Sequence, residues 1–127
     1  MELIVTQRAY LMNVGIITAI GISLHNFPEG IAVYLACLRG TKMGVPLAFA
    51  IAAHNIPEGI AVASPIYHAT GSKWQAFKWS LISGACEPAG AILIGFLFHE
   101  YLHEGLVHAM MAFGEADLLI ASPYSLA

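Results

Sequence analysis

HNFPEGIAV, residues 25–33, returns almost unchanged as HNIPEGIAV, residues 54–62; the two differ only at Phe27 and Ile56. Each copy sets a histidine, an amide, a proline and a glutamate inside a long apolar run, where polar groups are costly and a helix breaker needs a reason. In a helix, His25 and Glu29 are four residues apart and Asn26 and Glu29 three, so the three side chains share a face. His54, Asn55 and Glu58 repeat that face. Pro28 has no N–H for the carbonyl of Leu24, and Pro57 none for that of Ala53, which predicts a kink and a free carbonyl beside each set. Imidazole nitrogen and carboxylate oxygen without thiolate suit a borderline divalent ion such as zinc. The alternative is that these histidines and asparagines bond to one another across a helix interface. That alternative explains a single copy as well as a metal does, but two copies of identical polar content less well.

Working outward, the surrounding chain is that of a membrane protein. Of 127 residues, 58% are hydrophobic and 10% charged, with a mean hydropathy of +0.73, whereas a water-soluble domain carries about a quarter of its residues as charge. A hydrocarbon core about 30 Å thick takes roughly 20 apolar residues per helix, so the chain has room for about four spans and no extramembrane domain. The fold class expected is all-α, a polytopic transmembrane helix bundle. A net charge of -3 and five scattered Lys and Arg argue against a nucleic-acid partner. Cys37 and Cys86 lie in apolar runs, which predicts free, buried thiols.

Three spans are clear, at about 10–38, 45–67 and 77–98, after a short polar stretch over 1–9. The first carries a small-residue stripe, Gly15, Ala19 and Ser23, suited to close helix contact. RGTKMG (39–44) is a tight connection between antiparallel helices, and in HATGSKWQAFK (68–78) Gly71 and Ser72 make the turn while Trp74, Trp79, Lys73 and Lys78 read as interfacial anchors. His68 reads as an exposed loop histidine ahead of a low-affinity ligand at a pore mouth. Both motifs then fall near the midplane, and because consecutive spans run in opposite directions they are related by a pseudo-two-fold axis in the membrane plane that turns the two ligand sets toward one point. Arg8, Lys73 and Lys78 outnumber Arg39 and Lys42, a small vote for the first group being cytoplasmic.

The third span adds Glu87, followed by Pro88, which frees the carbonyl of Gly84. Glu29, Glu58 and Glu87 thus lie at a depth where an uncompensated carboxylate costs at least about 2.5 kcal/mol on insertion scales. No Lys or Arg sits near them in depth, so they hold either protons or metal, and the histidines favour metal. Residues 105–126 make a poor fourth span, interrupted by Glu115 and Asp117 and broken by Pro123. HEYLHE (99–104) contains HExxH, the zinc metallopeptidase signature, but at the end of a span and just before Gly105, which favours a loop or an accessory metal contact over a peptidase. Nothing resembles a nucleophile triad, phosphate loop or dinucleotide fingerprint, and no enzyme activity is expected.

HNFPEG, HNIPEG and the GxxEPxGA stretch of 84–91, in this order on successive hydrophobic segments, resemble the fourth, fifth and sixth transmembrane helices of the ZIP family of zinc and iron transporters. The likeness covers roughly residues 8–98, and SKWQAFK (72–78) is similar to the loop of plant endomembrane-type and, more loosely, bacterial broad-specificity members. The resemblance implies an eight-helix, commonly dimeric transporter with a two-metal centre midway through the bilayer. On this sequence His25, Glu29, His54 and Glu58 match the family's first metal site. Asn26, Glu29, Asn55, Glu58 and Glu87 match the second, with Glu29 and Glu58 bridging. Family members vary at the positions of His54 and Asn55, which bears on metal selectivity. Three helices that precede this region in the family, and one that follows the seventh, are not in this sequence, so residues 1–127 are expected to be a partial ZIP transmembrane domain. The function expected is transmembrane transport of a divalent ion, zinc ahead of iron or manganese, with no bound cofactor. A non-transporting metal-binding or dimer-partner fragment is the alternative, and a membrane zinc peptidase a more distant one. The expected location is a plasma membrane or endomembrane, as a multi-pass integral protein and homodimer.

Overall fold

The computed structural model describes residues 2–98. They form helices α1 (Glu2–Leu38), α2 (Thr41–Thr70), α3 (Lys73–Gly84) and α4 (Cys86–Leu97), with no strand among the described residues. HEYLHE and the possible fourth span over 105–126 lie outside them.

Among the described residues, three helical stretches are long and apolar enough to cross a membrane: Leu3–Leu38, Thr41–Thr70 and Lys73–Leu97, the last being α3 and α4 together. Residues 2–9 differ from the expected polar lead-in by continuing the first helix, which at 37 residues runs about 55 Å. Glu2, Thr6, Gln7 and Arg8 have no sequence feature that stops a helix, so the span extends beyond the hydrocarbon. The connection at 39–44 also shortens: only Arg39 and Gly40 separate α1 from α2, with Gly40 at φ 119°, a conformation that favours glycine. Gly44 then lies on the end of α1, where a Cβ would stand 2.8 Å from Cys37 Cα. At the next turn Gly71 caps α2 in the left-handed region and donates its N–H to the Tyr67 carbonyl at 2.7 Å, while the Ser72 hydroxyl caps α3 by accepting from the Gln75 N–H at 3.3 Å.

Pro28 and Pro57 are carried inside unbroken α1 and α2. A lost backbone bond in a long membrane helix is tolerated where neighbouring groups compensate. Pro46 and Pro65 also lie inside α2, and only at Pro88 does the helix break: Pro88 cannot serve the carbonyl of Gly84, and the chain divides at Ala85 between α3 and α4.

Burial is inverted relative to a soluble protein. Asn26, Glu29 and Ser83 are buried, while Ile17, Leu24, Phe49, Ile92 and Phe96 face outward, as expected where the solvent is hydrocarbon. The apolar cluster joins Ala19, Val62, Ile66 and Ala76, with Met12, Ile22, Ala63 and Trp79 against it. Trp79 is thus half-buried against the bundle, while exposed Trp74 stacks at a tilt on Phe77. Of the small-residue stripe, Gly15 and Ala19 do admit close contact, Gly15 against the Ile66 side chain, whereas Ser23 returns its hydroxyl to the Ala19 carbonyl of its own helix at 2.7 Å. Cys37 and Cys86 are free, but Cys37, beside Gly44 at the end of α1, is exposed and Cys86 half-buried.

The packing that positions the polar groups is between α1 and α4. A Cβ on Gly30 would run into the carbonyl of Glu87, and one on Gly90 into the carbonyl of Phe27, so two glycines on facing helices each admit the other's backbone. Gly21, on the same α1, meets nothing within 4 Å. Gly30→Ala is therefore expected to lower stability by about 1–3 kcal/mol despite alanine's better helix propensity. Gly21→Ala should be neutral or stabilising. Thermal unfolding of the two variants in one detergent checks this, and equal midpoints would contradict the close backbone approach.

Candidate metal centre

The two motifs meet. The rings of His25 on α1 and His54 on α2 lie edge to face with centroids 5.9 Å apart. His25 Nε2 is 3.3 Å from Glu29 Oε1 and 3.7 Å from Glu58 Oε1, and His54 Nε2 is 3.3 Å from Glu58 Oε1. The pairs His25–Glu29 and His54–Glu58 are the four-residue spacings of the two motifs, each on one helix face. The contact of His25 with Glu58 joins one motif to the other. Among the described residues, His25, His54 and Glu58 offer ligand atoms that all lie within 4.8 Å of one another. Tetrahedral zinc with bonds near 2.1 Å sets its ligand atoms about 3.4 Å apart, so a modest inward closure of these three would hold an ion.

The remaining polar groups surround a cavity of about 70 Å³ beside this cluster, lined by Ile22, Asn26, Asn55, Glu58, Gly59, Ser80, Ser83 and Gly84. A single water needs roughly 10–15 Å³ of such space. Asn26, 1% exposed, donates Nδ2 to the Ser83 carbonyl at 3.3 Å, and Asn55 donates Nδ2 to Glu87 Oε2. Each carboxamide thereby spends its donor on α3 or α4 and keeps its oxygen free. Glu58 belongs to both groups, touching the histidines through Oε1 and bordering the cavity.

The unmet hydrogen-bonding capacity is all of one sign. Among the described residues, five buried side-chain atoms make no hydrogen bond: Asn26 Oδ1, both carboxylate oxygens of Glu29, of which Oε1 has only the 3.3 Å approach of His25, Asn55 Oδ1 and Glu58 Oε2. Every one is an oxygen that accepts. Leaving one buried acceptor unmet costs about 1–3 kcal/mol, and more where it is charged. A cation is the group that answers several converging acceptors at once, and oxygen with imidazole nitrogen is a donor set for a divalent metal.

All seven residues singled out in the sequence thus fall on α1, α2 and α4 in two connected groups: His25, Glu29, His54 and Glu58 in one, and Asn26, Asn55 and Glu58 around the cavity, with Glu87 bound to Asn55. Sequence reasoning passed over Ser80 and Ser83, which line the cavity from α3. Their signal was the spacing: Ser80, Ser83 and Glu87 stand three and four residues apart and so share a face.

Comparison with known proteins agrees with this architecture. The family model described as ZIP Zinc transporter matches residues 4–113. Protein zntB of Dictyostelium discoideum is 68% identical over 103 residues, 81% of this chain and 28% of its own length. Zinc transporter ZTP29 of Arabidopsis thaliana is 55% identical over 105 residues, 83% of this chain and 38% of its own. Zinc transporter ZupT of Clostridium perfringens is 53% identical over 110 residues, 87% of this chain and 38% of its own. The chain spans about a third of the length of these curated relatives. No solved structure matches. With the family's match covering most of the sequence and the duplicated motif folded into one polar centre, the chain belongs to the ZIP zinc transporter family.

Proposed function

We propose that residues 1–127 are part of a ZIP transmembrane domain whose function is to carry a divalent metal ion, zinc before iron or manganese, through a midplane centre built by this chain. The observation that carries the reading is the set of buried oxygen acceptors without donors, gathered around two histidines on neighbouring helices. His25, Glu29, His54 and Glu58 form the first ion position. Asn26, Asn55, Glu58 and Glu87, together with Glu29, form the second, so Glu29 and Glu58 serve both. Imidazole beside carboxylate favours zinc over the harder cations, and the absence of thiolate from the set leaves binding weak enough for release.

The chemistry is transfer between sites, not turnover of a substrate. An ion entering the first position neutralises Glu29 and Glu58. A second cation beside it repels the first, which promotes release. The close backbone contact of α1 with α4 lets these helices move as a unit, and rocking of such units about a midplane site is the usual basis of alternating access. The similarity to proteins named zinc transporters supports zinc as cargo, and the three apolar spans support an integral membrane protein. Its membrane is a plasma membrane or endomembrane, and its assembly a homodimer. The family does not act on its cargo as an enzyme.

The test is equilibrium zinc binding and zinc uptake in proteoliposomes, made with this chain and with a full-length relative. Glu29→Ala combined with Glu58→Ala is expected to abolish saturable zinc binding by this chain, and unchanged binding would contradict the reading. Zinc binding by this chain without flux would assign it the non-transporting role. Asn55→Ala removes one oxygen and the donor that holds Glu87, so zinc affinity is expected to fall by about 10–100-fold. Isothermal titration of the reconstituted chain measures that loss, and a change below about twofold would exclude Asn55 from the centre.

A further inference from the structure

Ser83 occupies the last turn of α3, four residues before Glu87, and is 1% exposed. Its hydroxyl donates to the Ala19 carbonyl at 3.2 Å, and its own backbone carbonyl accepts from Asn26 Nδ2 at 3.3 Å. Ala19 and Asn26 are seven residues apart, about two turns of α1, so one residue grips the same helix face at two levels. The two ends of a carboxamide are nearly equal in size, and packing alone does not choose between them. A carbonyl oxygen does choose: it has lone pairs and no proton, so only the NH2 end of Asn26 can turn to it. Asn26 Oδ1 is thereby left buried and without a partner, on a residue that lines the cavity. Turned over, the same side chain would offer a cation the positive end of its dipole.

We propose that Ser83 is a positioning residue of the cation centre: its hydroxyl, anchored on Ala19, holds its carbonyl where it selects the orientation of Asn26 that offers oxygen to the metal. This rests on the cation-site reading above. It explains why a serine with no contact to the two histidines is buried against α1 at this depth. Ser80 supplies an internal comparison. It lies three residues earlier, also lines the cavity, and donates its hydroxyl to the Gly59 carbonyl at 3.1 Å, tying α3 to α2 and not to the helix that carries Asn26.

The experiment is zinc affinity of the full chain in lipid nanodiscs, measured by competition with a chromophoric chelator. The variants are Ser83→Ala, Ser83→Thr, Ser80→Ala, Asn26→Ala and the pair Asn26→Ala with Ser83→Ala. Ser83→Ala is expected to weaken zinc binding about tenfold, as loss of a residue that orients a ligand does. Ser83→Thr, which keeps the hydroxyl, should stay within about twofold of the parent, and Ser80→Ala within about threefold. On the Asn26→Ala background, Ser83→Ala should cost less than about twofold, because the amide it orients is gone. Unchanged affinity in Ser83→Ala, or an equal loss on both backgrounds, overturns the proposal. Should Ser83→Ala not fold, Ser83→Cys, with its weak donor, replaces it in the same cycle. A parent chain that binds no zinc is a separate outcome, which overturns the cation-site reading itself and the role of Ser83 with it.

Discussion

Buried oxygen without a proton to meet it is the constraint on which this bundle depends. Glu29 and Glu58 bring carboxylates to the middle of helices whose outward faces are apolar, and Asn26 and Asn55 add amide oxygens to the same region. The basic residues stand toward the span ends, so no lysine or arginine is there to neutralise them. Among the described residues, His25 and His54 are the chargeable donors that the contacts bring to Glu29 and Glu58, and imidazole is a side chain that also binds divalent metals. Such a cluster is costly in lipid unless something positive is bound, and that cost is the physical ground for the proposed cation centre.

The rest of the packing exists to hold that cluster together. Gly30 and Gly90 let α1 and α4 meet backbone to backbone, which brings Glu87 to the level of the first motif. The break at Ala85 gives the third span two halves: α3 reaches α1 and α2 through Ser83 and Ser80, while α4 presents Glu87 to Asn55. Serine hydroxyls bonded to backbone carbonyls suit this task, because they tie helices without adding charge to a centre already rich in it.

Much of this was legible in the letters. The duplicated HNxPEG pattern placed the same polar face on consecutive antiparallel helices, and equal depth followed from span lengths, so the meeting of His25 with Glu58 was geometrically implied. What did not follow shares a cause. Helix spacing tells which side chains share a face, but not which face a neighbour covers. Trp79 reads as an anchor beside Lys78, yet it is half-buried against the apolar cluster of Ala19, Val62, Ile66 and Ala76. Cys37 sits in an apolar run, yet at the end of α1 it is exposed. Ser80 and Ser83 look like ordinary small residues until α1 and α2 are laid against them. The prolines divide the same way: of the three beside the motifs, Pro28 and Pro57 are carried without a break, as Pro46 and Pro65 are, and only Pro88 goes with one, because continuity of a membrane helix is decided by what surrounds the freed carbonyl.

Zinc K-edge absorption spectroscopy of the zinc-loaded chain tests the central claim most directly, since it reads the donor atoms themselves. The account predicts a first shell of nitrogen and oxygen at about 2.0–2.2 Å with outer scattering from two imidazoles, diminished when His25 and His54 are both replaced. A sulfur shell at about 2.3 Å, which would place the ion on Cys37 or Cys86, or a spectrum unaffected by loss of both histidines, would contradict it.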